Sequence, residues 1–243
     1  MTNERVSTRT KLCGLLVSLG LFGLACAAPG GIHYTAEKGM VTPDGLHRID
    51  WEPFRVSYVK PGADLQRYDK VLIDAVTVSY KTPPRPGHTA DPTYALPDSA
   101  LKSLERYFHD QFVQEPGASQ DFTVVDAAGP SVLRISGHIV NLQISVPPLE
   151  DQLPNETVMT GSSGQMTLIL DARDSQSGEP LVRVAAAKSI ATADGGWYQS
   201  DPVSNSAAVR DMFRIWASDL RRELDQFHAL PELPPLPAAT PPQ

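Results

Sequence analysis

Cysteine is nearly absent. The 243 residues hold two, Cys13 and Cys26, and Cys13 lies in an apolar leader. No pair remains from which to build a disulfide framework. An excess of positive charge is absent as well. There are 21 Lys and Arg against 28 Asp and Glu, a net of −7, and no basic stripe, which argues against nucleic acid as a partner. Taking away the leading 25 residues, with three basic groups and one acid, leaves 18 basic against 27 acidic, a net of −9. Such a body is a poor match for anionic lipid headgroups. No long hydrophobic run is present either. The longest charge-free apolar stretch, Leu12 to Cys26, has 15 residues, whereas a membrane-spanning helix needs about 20. There is no P-loop and no G-x-G-x-x-G. Gly161-Ser162-Ser163-Gly164 lacks the spacing of a nucleophile elbow and reads as a flexible lead into a strand. The six histidines, at 33, 47, 88, 109, 138 and 228, show no zinc-like spacing; His109 reads as a surface residue. Asp171 and Asp174 flank Arg173 near a turn, but a calcium loop needs denser oxygen donors, so a solvated turn is expected. These absences predict a protein with no enzymatic activity, no metal and no cofactor.

The ends carry an address. Arg5, Arg9 and Lys11 precede the apolar stretch, and small residues close it, the pattern of a secretory signal over 1–25. Gly23-Leu24-Ala25-Cys26 resembles the lipobox of bacterial lipoproteins, in which cleavage falls just before a lipidated cysteine. Ala25-Cys26-Ala27 also fits an ordinary small-x-small cleavage site, which would release a soluble periplasmic or secreted protein beginning at Ala28. Cys26 would be the only thiol of the mature chain. A lone thiol is a liability in an oxidising compartment, which favours a lipidated (palmitate-bearing) Cys26 as membrane anchor. Ala27, rather than Asp, follows it; the lipoprotein resemblance then implies the outer membrane, facing the periplasm. Residues 26–50, rich in glycine at first, read as a tether. Pro231 to Gln243 holds six prolines, so 229–243 reads as a disordered tail.

Between them lies one domain over 51–228. Phe54 to Val59 predicts a short strand. Val71 to Val78 is nearly continuously apolar and predicts a strand covered on both faces. Four prolines between Lys81 and Ala95 mark a loop. Asp98 is placed to cap a helix whose stripe is Leu101, Leu104, Phe108 and Phe112, ended near Gly117. Phe122 to Asp126 is a short strand. Ser131 to Ser145 alternates with a slip in parity near Ile139, which predicts a bulge. Gly164–Asp174 and Leu181–Ser189 form a hairpin about Gly178. Ser204 to His228 is a long amphipathic helix with Val209, Met212, Phe213, Trp216, Leu220, Leu224 and Phe227 on its apolar side. This order predicts an α+β fold, a mixed, largely antiparallel sheet with two helices packed on one face.

Tyr58-Val59-Lys60-Pro61-Gly62-Ala63-Asp64-Leu65, followed by Tyr68-Asp69, Val71 and Ile73-Asp74, resembles the leading segment of a bacterial lipoprotein family known as domain of unknown function 3313. Ile169-Leu170-Asp171-Ala172, Ser177-Gly178-Glu179, Trp216-Ala217 and Leu220-Arg221 match as well. The resemblance covers roughly Trp51 to Phe227 and implies address and fold, not an activity. By element order alone the chain is also similar to periplasmic partner-binding lipoprotein domains such as activators of cell-wall synthases.

Two residues stand out. Asp74 is a carboxylate in an apolar strand, costly unless bonded or paired. It is expected to be a structural carboxylate; the alternative is a group lining a pocket. Trp197, after Gly195-Gly196, is a candidate interface anchor, although packing beneath the last helix is the simpler expectation. The leading functional reading is a non-catalytic interaction or assembly module of the envelope with a protein partner. The alternatives are a small-ligand-binding protein with a cleft near Asp74 and the proline-rich loop, and a hydrolase pairing Asp74 with a histidine.

Overall fold

The computed structural model describes residues 34, 40–51, 53–81, 93–148, 151–152, 155–192, 194–230, 233 and 236. The leader with Cys26, the prolines at 83, 84, 86 and 92 and most of the last thirteen residues lie outside them. All described residues fall in one compact unit spanning 32–243.

Among the described residues, ten strands and two α-helices follow in the order β1 (His47–Ile49), β2 (Val56–Val59), β3 (Lys70–Ile73), β4 (Thr77–Tyr80), α1 (Asp98–Gln114), β5 (Thr123–Val124), β6 (Val132–Ile144), β7 (Met159–Thr160), β8 (Gly164–Asp174), β9 (Pro180–Ile190), β10 (Tyr198–Gln199) and α2 (Pro202–Ala229), with a single 3-10 turn at Pro116–Ala118 after α1. The main sheet runs β1-β2-β9-β8-β6-β3-β5, and β4 also pairs with β6; β7 and β10 form a separate ribbon. The central pairings β6–β8, β8–β9 and β9–β2 are antiparallel, while β3 and β4 run parallel to β6. The fold is therefore α+β with a mixed, mostly antiparallel sheet. Parallel pairing needs a crossover, and α1 supplies it between β4 and β6.

Period-two alternation decides the faces. Ile135, Leu170, Val184 and Val59 point to one side and are buried. Both helices lie there. From α2, Met212, Phe213, Trp216, Leu220, Leu224 and Phe227 enter the core; from α1, Leu104, Phe108 and Phe112 do so. Phe108 stacks on Phe112 at 4.2 Å and meets Phe213 edge-on at 5.8 Å. It lies over Gly137, where a Cβ would come within 2.8 Å of ring atom Cε2. Glycine in mid-strand is the gap that seats the helix.

Several expectations are corrected. Val71 to Val78 is two short strands interrupted at Asp74-Ala75-Val76, and only one face is buried. The interruption lets one long β6 edge accept β3 beside Val132–Ile135 and β4 beside His138–Leu142. The stretch expected as tether reaches the sheet: Leu46 and Ile49 are buried, and β1 pairs with β2. Leu233, in the expected tail, is buried and donates its N–H to the Ala63 carbonyl at 3.1 Å. Asp98 gives α1 no side-chain cap. Asp201 does cap α2, accepting from the N–H groups of Val203 and Ser204 at 2.9 Å. The parity slip falls at Asn141, with φ of 55° and a register shift between Val140 and Gln143. The Gly161–Gly164 stretch is pinned rather than loose: Ser163 is buried, and its N–H donates to the Ile190 carbonyl at 2.9 Å.

Replacing Gly137 by Ala is expected to destabilise by about 1–3 kcal/mol through overpacking against Phe108. Urea unfolding checks this, and Phe108→Leu in the same chain should recover part of the loss.

Candidate functional site

Asp74 lies at the break between β3 and β4, its N–H donating to the Ile135 carbonyl at 2.9 Å. Its carboxylate accepts from Arg134 Nε at 2.8 Å and Ser136 Oγ at 2.6 Å. Partial burial pushes its pKa up, but these two hydrogen bonds and the Arg134 charge outweigh that, and the net direction is down. The group is thus a held anion rather than a poised acid.

It belongs to a polar row on the helix-free face of the sheet. Register places Arg48, Tyr58, Arg183, Asp171 and Ser136 side by side across β1, β2, β9, β8 and β6. Arg183 donates through Nε to Asp171 at 2.5 Å and through Nη2 to Asp44 at 2.9 Å. His138 Nδ1 lies 2.8 Å from Thr77 Oγ1, and its Nε2 is 3.6 Å from Asp171. A carboxylate, a histidine and a hydroxyl meet here, on the helix-free face of the sheet. Asp74 and His138 line neither cavity described below.

Asp174, expected in a solvated turn, is buried and saturated on the opposite face of β8. It accepts from Tyr68 Oη at 2.9 Å, Arg67 Nη2 at 2.6 Å and the N–H groups of Gln176 and Ser177 at 3.1 and 2.7 Å. The Ser177 amide, above all, holds its pKa far below the usual carboxylate range. Burial, with Asp174 beside it, pushes the Tyr68 hydroxyl up to about 12. Lys60 and Glu179 form an ion pair across the same junction. The family-like segments around Tyr68 and Ser177 therefore meet as a structural clasp.

Glu223 is the buried carboxyl that sequence reasoning passed over. It is 2% exposed, and neither oxygen has a partner among the described residues. Burial, with repulsion from Asp219 one turn away, pushes its pKa up to about 8; Ser57 nearby pulls slightly the other way without reaching hydrogen-bond geometry. A small apolar cavity of about 30 Å³ adjoins it, walled by Tyr68, Leu170 and Phe227. The signal was available: 216, 220, 223 and 227 share one helical face.

The larger concavity is a groove of about 420 Å³ along the first turns of α1 and α2. Its floor is Leu104, Ile144, Ile190 and Val209, and Tyr94 and Tyr107 wall it. Tyr94 ends the proline-rich loop, so the cleft expected near that loop exists there, but Asp74 is not part of it. Trp197 does not pack beneath α2: it is 76% exposed. Met159 of β7 lies opposite Gln199 of β10 and is 50% exposed, and Val203 in the first turn of α2 is 76% exposed. Among the described residues no cluster of His, Cys, Asp and Glu could hold a metal ion.

The buried carboxyls separate by pH. Glu223 is protonated in the folded chain at neutral pH and ionised when unfolded. Stability attributable to it falls as pH rises from about 4.5 to about 8. Glu223→Gln should match wild type near pH 5 and melt above it near pH 8, read by thermal denaturation at both. Asp174 has the opposite sign, its contribution being present above the ordinary carboxylate range and lost on acidification. At pH 7, Asp174→Ala should cost about 3 kcal/mol, since it takes the acceptor from both the Tyr68 hydroxyl proton and Arg67, while Asp74→Ala on the more open face should cost about 1 kcal/mol. Urea unfolding of the pair checks the order.

Solved structures resemble the chain loosely. A PelC dodecamer from Paraburkholderia phytofirmans matches at 13% identity with a TM-score of 0.34, covering 67% of this chain and 96% of that one. Protein XCC0632 from Xanthomonas campestris matches at 10% and 0.36, covering 68% and 90%. Protein CT253 from Chlamydia trachomatis matches at 11% and 0.29, covering 65% and 98%. Overlaps this loose bear on neither activity nor partners. No curated protein matches the sequence. A family model described as a protein of unknown function (DUF3313) matches residues 38–220, most of the chain and all of its main sheet, and the protein belongs to that family.

Proposed function

We propose that this protein is a non-catalytic interaction or assembly module of the bacterial cell envelope, anchored through a lipid on Cys26 and facing the periplasm from the outer membrane. The observation that carries the interaction role is the exposed Trp197, next to β10, with Met159 of the paired strand β7 exposed as well. A tryptophan left 76% exposed contributes little to folding, and large aromatics with apolar neighbours are the usual centres of protein interfaces. The carboxylates on the sheet face support the same reading: Asp74 and Asp171 are committed to Arg134 and Arg183.

Trp197→Ala should leave the melting temperature nearly unchanged, as surface substitutions do, and abolish partner capture. A photoreactive residue at 197 in living cells should yield one discrete crosslinked protein, and the same residue at Gln165 on the sheet face should not. Equal patterns from both positions would sink the interface. Clickable fatty acid fed to the cells tests the address separately: label on wild type and none on Cys26→Ala is expected, and an unlabelled wild type removes the anchor.

A further inference from the structure

The groove along α1 and α2 offers no usable charge. Asp201 is the only charged residue lining it, and its carboxylate is spent on the α2 amides. Beside the apolar floor stand Tyr94, Tyr107, Pro97 and Pro202. Tyr107 is a fixed wall, since Arg106 and Arg210 both bear on its ring, 5.3 and 5.2 Å from the centroid. The Tyr94 hydroxyl has no hydrogen-bond partner among the described residues. Along α1 the groove extends from Ser99 to Tyr107, about 12 Å at the helical rise, which is the length of about four residues of polyproline helix. Aromatic-lined grooves suit proline-rich segments, whose extended form costs little entropy and whose carbonyls are left free to accept hydrogen bonds. The chain carries one such segment itself. Pro231 to Gln243 holds six prolines, and its last ten residues, PPLPAATPPQ, have no charged side chain, in a chain that is 20% charged. Pro231, Pro234 and Pro237 recur at the three-residue period of a polyproline helix, on one side of it.

That segment is too short to fill its own groove. Its last buried residue is Leu233. The Leu233 N–H donates to Ala63, the Ala63 N–H to Lys60 and the Lys60 N–H to Leu181, at 3.1, 3.2 and 2.8 Å, so the tail departs beside the start of β9. The groove lies at the far end of β9, at Ile190, about 30 Å away at the rise of a strand. Along α2 the separation from Val209 to Ala229 is likewise about 30 Å. The ten residues after Leu233 span about 31 Å as a polyproline helix, and that length is used up in reaching the groove. We propose that the tail beyond Leu233 docks in the α1–α2 groove of a second copy of this chain. The contact is head-to-tail, so each pairing leaves one groove and one tail open, and copies add until a ring closes or a filament grows. Trp197 does not line the groove, and this self-association is independent of the partner surface it marks.

The test is complementation between two defective chains, followed by sedimentation velocity on residues 28–243, which contain the whole compact unit. Wild type is expected to form species larger than one chain that grow with concentration. Ala100→Glu places a carboxylate in the groove, in the first turn of α1 where the helix tolerates an acid. Pro234→Asp with Pro237→Asp charges the tail. Each change should weaken association at least roughly tenfold and leave the melting temperature nearly unchanged. Ser103→Trp, which fills the groove without adding charge, should act as Ala100→Glu does. Mixed together, the groove variant supplies an intact tail and the tail variant an intact groove, and a dimer that grows no further should form. A wild type that stays a single chain at its highest soluble concentration overturns the proposal. So does a mixture that stays single chains, or association undiminished in both groove variants. Native mass spectrometry that finds a small molecule held by wild type and lost from Ser103→Trp, with no chain dimer, would assign the groove to that ligand and overturn the proposal equally.

Discussion

One carboxylate holds two distant parts of the chain in register. Asp174 closes the β8–β9 turn through the amides of Gln176 and Ser177, and through Tyr68 and Arg67 it fastens the segment between β2 and β3 to that hairpin. A buried carboxylate is tolerable only when its lone pairs are filled by donors, and here they are. Because β2 pairs with β9 and β3 with β6, the same clasp fixes both edges of the central antiparallel strands. The Lys60–Glu179 pair crosses the junction beside it. The residues that most resemble the family are thus those that assemble the sheet.

The second constraint is one-sidedness. With both helices on one face, the other face of the sheet must satisfy itself. It does so with the Arg183–Asp171–Asp44 and Arg134–Asp74–Ser136 contacts. These ion pairs are partly open to water and contribute modestly; they keep an exposed sheet face polar. On the helix face, Phe108 sits over Gly137 and against Phe213, so α1 and α2 touch at that level. Their first turns diverge toward the strand ends Ile144 and Ile190, and the groove between them is the space that divergence leaves open. Glu223 shows the other cost of the packing. It occupies an apolar position of α2 with no hydrogen-bond partner among the described residues, and burial favours its protonated form.

Features that depend on neighbours along the chain were legible before any fold was known. Alternation in Gly164–Asp174 and after Leu181 specified the hairpin; the spacing 212, 213, 216, 220, 224, 227 specified α2 and its buried side; Gly178 marked the turn; the basic start, the charge-free stretch after it and Cys26 made an envelope address the expectation. Those signals are local periodicities and turn preferences, and they need no knowledge of partners. Whatever rests on which strands meet was settled by the folded arrangement instead. The apolar run after Val71 reads as one buried strand, but only a thirteen-residue β6 with a shared edge shows why it breaks at Asp74 and buries one face. Asp74 and Asp174 look alike in sequence, two acids in or beside apolar strands, yet register puts one on the open face and the other in the clasp. Trp197 could be assigned to core or surface only once the β7–β10 ribbon placed it outside. The groove, the convergence of Arg106 and Arg210 on Tyr107, and the isolation of Glu223 arise from residues far apart in the chain, and long-range proximity is the quantity a single sequence does not carry.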